Sequence, residues 1–165
     1  MTKIKLIVLF LVFSMLLTVN VFSQDKVTEN QTLIKDNAII LGFLQGGGSL
    51  VGVDYERIVI GNLGFQIGAG LVGVGVALNY HFEPTVNSSA FSLFYMSQGM
   101  PFNLVSDQVT GVTFVFRGWN WLNAQIGLGY MTWMGDTMKA IMTLSTGAEP
   151  PKLMLIYSIG AYFSF

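Results

Sequence analysis

The sequence predicts an all-β fold: an eight-stranded antiparallel up-and-down transmembrane β-barrel, preceded by a cleavable signal peptide. Apolar residues alternate with small or polar residues through eight segments, which is the period of a strand with two different faces. Hydrophobic residues make up 52% of the chain and charged residues 10%, which is too apolar for an ordinary soluble surface. After residue 23 no segment offers the run of about 20 uncharged apolar residues that a spanning helix needs. In hydrocarbon only helices and closed barrels pair every backbone group, so a barrel is expected.

The N-terminal segment has the pattern of a secretory signal peptide over residues 1–23. Two lysines precede an apolar run from Leu6 to Leu17, and small residues stand before a cleavage site at Gln24. The alternative is an uncleaved membrane anchor. Residues 24–36 are polar and are expected to form a flexible periplasmic segment, with a short plug entering the barrel as the alternative. The barrel itself is assigned to residues 37–165.

Strand boundaries follow from the alternation and from the Gly, Pro and Asn clusters that interrupt it. The strands are predicted at 38–45, 50–59, 63–70, 72–82, 89–97, 109–117, 122–133 and 152–165. The apolar face changes from odd to even numbers between the third and fourth strands, which indicates a tight hairpin near 69–71. With a periplasmic N-terminus, the two longest connections fall on the outer side, as is typical of such barrels. The last connection could also hold a helical turn over 137–144.

The last strand carries the strongest family signal. Every second residue from Leu153 to Phe165 is apolar or aromatic. Ser158, Gly160, Phe163 and Phe165 fit the C-terminal pattern of bacterial outer-membrane barrels, and the segment resembles the signal read by the barrel-assembly machinery. With the strand count, the chain resembles small eight-stranded barrels of the OmpX and OmpA membrane-domain kind. That resemblance implies an integral protein of the Gram-negative outer membrane, in contact with its lipid, with both termini periplasmic.

Aromatic residues gather where strands are expected to cross the membrane–water interfaces. Trp and Tyr are enriched at such interfaces, and barrels carry an aromatic girdle at each one. The interfacial belt is predicted to comprise Tyr80, Phe82, Phe116, Trp119 and Trp121 near the inner side, and Trp133 at the outer rim.

Four ionisable residues fall on the inward faces: Asp54, Glu56, His81 and Arg117. An eight-stranded barrel has an interior just wide enough for side chains. Charges there must therefore pair or reach water, and a polar network in the lumen is expected. The alternatives are a gated narrow conduit and a proton-responsive switch centred on His81.

The remaining composition narrows the function classes. The chain has no cysteine and one histidine, so disulfides and thiolate metal sites are excluded and no cofactor is expected. A net charge of −1 gives no indication of nucleic-acid binding. We expect a monomeric, non-enzymatic structural or interaction protein that recognises partners through outer loops 98–108 and 134–151. The alternatives are a narrow pore or small-solute conduit and, less favoured because His81 points inward near the inner rim, a lipid A-modifying enzyme.

Overall fold

The protein is a closed barrel of eight antiparallel strands, as the sequence predicts. The computed structural model describes residues 35–99, 107–136, 139–140, 143–144 and 151–165. The strands are β1 (Asn37–Phe43), β2 (Val51–Ile60), β3 (Leu63–Gly70), β4 (Gly73–His81), β5 (Ala90–Gln98), β6 (Asp107–Gly118), β7 (Leu122–Met134) and β8 (Leu153–Ser164). Each strand pairs with its neighbours in sequence, and β8 pairs with β1 to complete the ring. The predicted signal peptide and residues 24–34 of the N-terminal segment lie outside the described residues.

The strand boundaries depart from the predicted ones mainly at the ends of β1 and β6. The first strand ends at Phe43, two residues early, because the chain leaves the wall at Leu44 and turns into the lumen. The sixth begins at Asp107, two residues before the predicted start. The two additional residues, Asp107 and Gln108, remain paired with β7 through a register shift between Gln108 and Val109.

The barrel has two distinct ends. We call one the termini end, since β1 begins and β8 ends there; it also carries the connections 61–62, 82–89 and 119–121. The other, the loop end, carries the connections 44–50, 71–72, 99–106 and 135–152. Helical backbone occurs in the last of these at Asp136, Lys139, Ala140, Thr143 and Leu144. Across the described ranges, no helix combines the length and the apolar character needed to cross a bilayer.

Polar residues fill the inside of the barrel and apolar residues cover the outside. In β4, Asn79 and His81 are fully buried, whereas their neighbours Leu78 and Tyr80 are about half exposed on the outer surface. Among the described residues, 13 buried residues are polar or charged and 10 are hydrophobic. A soluble protein buries mainly apolar side chains. In this barrel, buried polar and charged residues outnumber buried hydrophobic ones.

Candidate functional site: the polar lumen

Glu56 is the centre of a hydrogen-bonded cluster in the half of the lumen nearest the termini end. Its side chain is fully buried, and its Oε2 accepts a hydrogen bond from Arg117 Nη2 at 2.5 Å. Its Oε1 lies 2.9 Å from His81 Nε2 and also accepts a hydrogen bond from Asn79 Nδ2. Asn79 Nδ2 in turn lies 2.9 Å from Gln66 Oε1. Residues from β2, β3, β4 and β6 are thereby joined across the lumen.

Arg117 connects this cluster to a connection that folds into the barrel. Its Nη1 donates a hydrogen bond of 2.8 Å to the carbonyl of Val86, a fully buried residue in the β4–β5 connection. The guanidinium also lies 4.7 Å from the centroid of the Tyr162 ring, within cation–π range. Val86 N donates in turn to the carbonyl of Lys35, at the start of the described chain. Together these contacts fill the lumen at the termini end.

His81 contacts the same inward-folded connection. Its Nδ1 lies 3.1 Å from the carbonyl oxygen of Ser88, while its Nε2 faces Glu56. Both ring nitrogens therefore have oxygen partners, and the ring is held in one orientation. The structure thus brings together three of the four predicted network residues: Glu56, His81 and Arg117.

Asp54, the fourth predicted network residue, has different partners. It is 4% exposed and lies on the same inward face as Glu56, but closer to the loop end. The backbone N–H of Gly46 lies 3.2 Å from Oδ1 and 3.4 Å from Oδ2. Asp54 makes no ion pair within 4 Å among the described residues. Its hydrogen bonds are with the segment that covers the other end of the lumen and with the Gln66 side chain.

A glycine-rich segment, Leu44–Leu50, folds inward at the loop end, and we call it the lid. Three consecutive glycines, Gly46 to Gly48, have φ values of 63°, 80° and 75°, a region that L side chains rarely adopt. Gln45 Nε2 donates to Ser158 Oγ at 3.0 Å, and the carbonyl of Gly48 accepts from Gln98 Nε2 at 3.1 Å. The lid is therefore tied to β5 and β8 as well as to Asp54 on β2.

Gly47→Ala is expected to destabilise the lid. A Cβ at Gly47 would overlap the backbone of Val74, in addition to the strain of a positive φ. A non-Gly residue in this conformation costs about 1–2 kcal/mol before any clash. Gly61→Ala is a matched control, because Gly61 has φ 52° but nothing within 4 Å of the added carbon. Urea unfolding in detergent should show a larger loss for Gly47→Ala than for Gly61→Ala, and equal losses would mean that the lid does not pack against β4.

Between the lid and the Glu56 cluster lies a cavity of about 280 Å³. Seven carboxylate, amide or aliphatic hydroxyl side chains from the strands line it: Asp54, Gln66, Ser92, Gln98, Thr113, Gln125 and Ser158. Met96 and the lid glycines complete the wall. The lumen is thus packed at the termini end and hollow beneath the lid.

The predicted C-terminal signal residues divide between the two faces of β8. Ser158 points inward and accepts the hydrogen bond from Gln45 of the lid. Gly160 faces Gly42 across the β1–β8 pair, and Phe163 and Phe165 are 57% and 61% exposed on the outer surface. The alternation predicted for β8 therefore describes its two faces, while recognition by assembly machinery stays a prediction.

The six predicted belt residues all have exposed side chains: Tyr80, Phe82, Phe116, Trp119, Trp121 and Trp133. The first five lie at or near the termini end, where the Trp119 and Trp121 ring centroids are 6.2 Å apart. Trp133 lies near the loop end of β7. Phe91 and Phe114, which the sequence reasoning did not assign to the belt, pack with Phe82 at centroid distances of 5.6 and 6.1 Å.

Much of the two connections predicted as recognition loops lies outside the described residues. This applies to positions 100–106 of loop 98–108, and to 137–138, 141–142 and 145–150 of loop 134–151. In the described part of loop 134–151, the Lys139 ammonium lies 3.8 Å from the Asp136 carboxylate in an exposed ion pair. An ion pair of that kind contributes little to stability.

The fold and lumen define the class of protein: a closed eight-stranded antiparallel barrel with a polar, lidded interior and an apolar exterior. The chain matches no family model, no curated protein and no solved structure. The resemblance to the OmpX and OmpA kind of barrel therefore stays a prediction from the strand pattern and the C-terminal residues.

Proposed function

We propose that the protein is an integral β-barrel of the bacterial outer membrane, with a structural or interaction role rather than an enzymatic one. The observation that carries this proposal is the apolar exterior, to which all eight strands contribute. One outward residue from each strand, at least 36% exposed in every case, illustrates it: Ile39, Val53, Ile67, Val76, Leu93, Val112, Leu128 and Leu155. A docking surface for one partner would cover a single patch. An apolar band around the whole circumference is what lipid requires.

The orientation follows from the loops. We propose that the termini end faces the periplasm and the loop end faces outward, since the longer connections of such barrels are extracellular. The Trp119 and Trp121 pair would then mark the inner interface and Trp133 the outer one. Loops 98–108 and 134–151 are the proposed recognition surface.

The packing of the lumen favours a barrel that does not conduct. At the termini end, Val86 and the buried Glu56–Arg117 pair occupy the cross-section that ions would need. A narrow conduit is the second candidate, supported by the cavity beneath the lid. We do not propose lipid A modification, because His81, the sole histidine, is fully buried and engaged at both ring nitrogens.

The proposal is tested by expressing the full chain in a Gram-negative host and fractionating its membranes. We expect the processed protein in the outer-membrane fraction, soluble only with detergent, and migrating differently in SDS gels before and after boiling. In planar bilayers it should give no steady conductance. A product that stays soluble without detergent would overturn the membrane assignment, while stable single-channel currents would favour the conduit.

A further inference from the structure

The cavity beneath the lid is lined by a buried hydroxyl that has no partner in the described part of the chain and by a buried carboxylate. Thr113 is 3% exposed and lines the cavity, yet its Oγ1 has no hydrogen-bond partner among the described residues. A buried hydroxyl without a partner is costly, and the large majority of buried side-chain polar atoms bond to protein or to ordered water. The Thr113 hydroxyl is therefore available to a water molecule or a solute in the cavity.

The carboxylate of Asp54 indicates which charge a ligand of the cavity would carry. Among the described residues that line the cavity, Asp54 is the sole acidic or basic one. It accepts hydrogen bonds from the N–H of Gly46, at 3.2 and 3.4 Å and long for a carboxylate, and from the Gln66 side chain, but it has no cationic partner within 4 Å among the described residues. An ionised carboxylate in such a place is stabilised by a cation. The rest of the wall combines amides and hydroxyls with apolar side chains such as Ala77, Phe94 and Met96, which suits a small solute with both polar and apolar groups.

The size of the cavity limits the occupant. A volume of about 280 Å³ holds roughly nine water molecules at liquid density, so only a small solute fits. The absence of a side chain at Gly68 leaves room for the Asp54 carboxylate, because a Cβ at this position would overlap it. We propose that the cavity binds a small polar solute with a single amino group, whose ammonium pairs with Asp54 and whose polar body bonds to Thr113 and its neighbours.

In this proposal the solute enters the cavity past the lid, and its binding to Asp54 weakens one of the contacts that hold the lid in place. Gly46 N–H donates to the same carboxylate that would receive the ammonium, so a bound cation competes with one of the contacts that hold the lid inward. The lid is also held by contacts from Gln45 to Ser158, from Gln98 to Gly48 and from the Val72 N–H to Ser49 Oγ. This site goes beyond the proposed membrane role and does not depend on it.

The test is calorimetric titration of the full chain in detergent with ethanolamine and glucosamine. Their neutral counterparts, ethylene glycol and glucose, serve as controls at matched ionic strength. We expect saturable binding of at least one amine and none of its neutral counterpart. If both members of a pair bind equally, the role of charge is overturned. If neither amine binds, the cavity holds only water and the proposal fails, whereas the membrane assignment is judged separately by fractionation.

Two variants assign the binding to the cavity. Asp54→Asn keeps an acceptor for Gly46 and removes the charge, so amine affinity should fall at least about tenfold, as for a hydrogen bond to a charged group. Asp107→Asn is the matched control, since Asp107 is also buried but does not line the cavity; it should bind as the wild type does. Thr113→Val should weaken binding by about three- to tenfold without lowering the unfolding midpoint. Unchanged affinity in Asp54→Asn would overturn the site, and heat-modifiable migration checks that each variant is folded.

Discussion

Arg117→Met is expected to lower the free energy of unfolding by about 3–5 kcal/mol, the range found when one partner of a buried ion pair is removed. Arg117 and Glu56 side chains are both fully buried and 2.5 Å apart. The substitution leaves the Glu56 carboxylate without its guanidinium partner, and it frees the carbonyl of Val86 from its hydrogen bond. Urea unfolding in lipid vesicles, followed by tryptophan fluorescence, measures the loss.

Two further variants show whether the loss comes from the unpaired charge. Adding Glu56→Gln to Arg117→Met removes that charge and should recover a substantial part of the stability, because a buried pair replaced on both sides is often close to neutral. Lys35→Met removes an exposed cation that donates to the carbonyl of Ser164 and should have a much smaller effect. If Arg117→Met unfolds at the wild-type urea concentration, the cluster does not hold the lumen together.

Leu128→Arg is expected to cost about 2–4 kcal/mol of stability in lipid vesicles, the range for a cationic residue at the bilayer midplane. Leu128 is 51% exposed, lies in the middle of β7, and pairs with Val112 and Leu155, which are also exposed. In a protein surrounded by water, the same substitution at an exposed strand position would be nearly neutral. Reversible unfolding in vesicles therefore separates the two environments.

Leu71→Arg is the matched control for the lipid-facing substitution. Leu71 is 69% exposed in the short β3–β4 connection at the loop end, where a cation near the interface costs about 0–1 kcal/mol. A cost at Leu128 no greater than at Leu71 would contradict the proposal that the apolar band faces lipid. A Leu128→Arg chain that becomes soluble without detergent would contradict it more directly.

The strands could be predicted because alternation is a local property of the sequence. In β4, for example, Val74, Val76, Leu78 and Tyr80 fix the outer face, and Asn79 and His81 then fall on the inner one. The same parity gave the inward placement of Glu56 and Arg117. Parity could not predict the partners of these side chains, because it assigns a residue to the inner or outer face of the wall but not to a position along the barrel axis. Asp54 and Glu56 share a face and are two residues apart, yet Asp54 contacts the lid, whereas Glu56 pairs with Arg117 and His81.

The inward folds of two connections could not be predicted. The triplet Gly46 to Gly48 indicates a tight turn equally well whether that turn projects into solvent or into the lumen. Val86 in the β4–β5 connection has polar neighbours, Thr85 and Asn87, and its burial depends on the space left by strands that are distant in sequence. The alternation places Tyr162 on the inner face of β8 with Ser158 and Gly160. It does not identify Arg117 as the partner of Tyr162, because that contact joins two strands that are not neighbours in the sheet.

The pairing of β1 with β8 joins segments about as far apart in sequence as the barrel allows, with Ala38 opposite Ser164. Loop-closure entropy opposes such a contact until the intervening chain is ordered, so the ring is sealed late in folding. In the membrane proposed for this protein, any shorter array would present two unpaired edges to lipid, where amides without hydrogen-bond partners are severely penalised. The adjacency also means that a short peptide could connect the two strands while new ends are opened at the 61–62 turn. A circular permutant of that kind should fold into the same eight-stranded barrel.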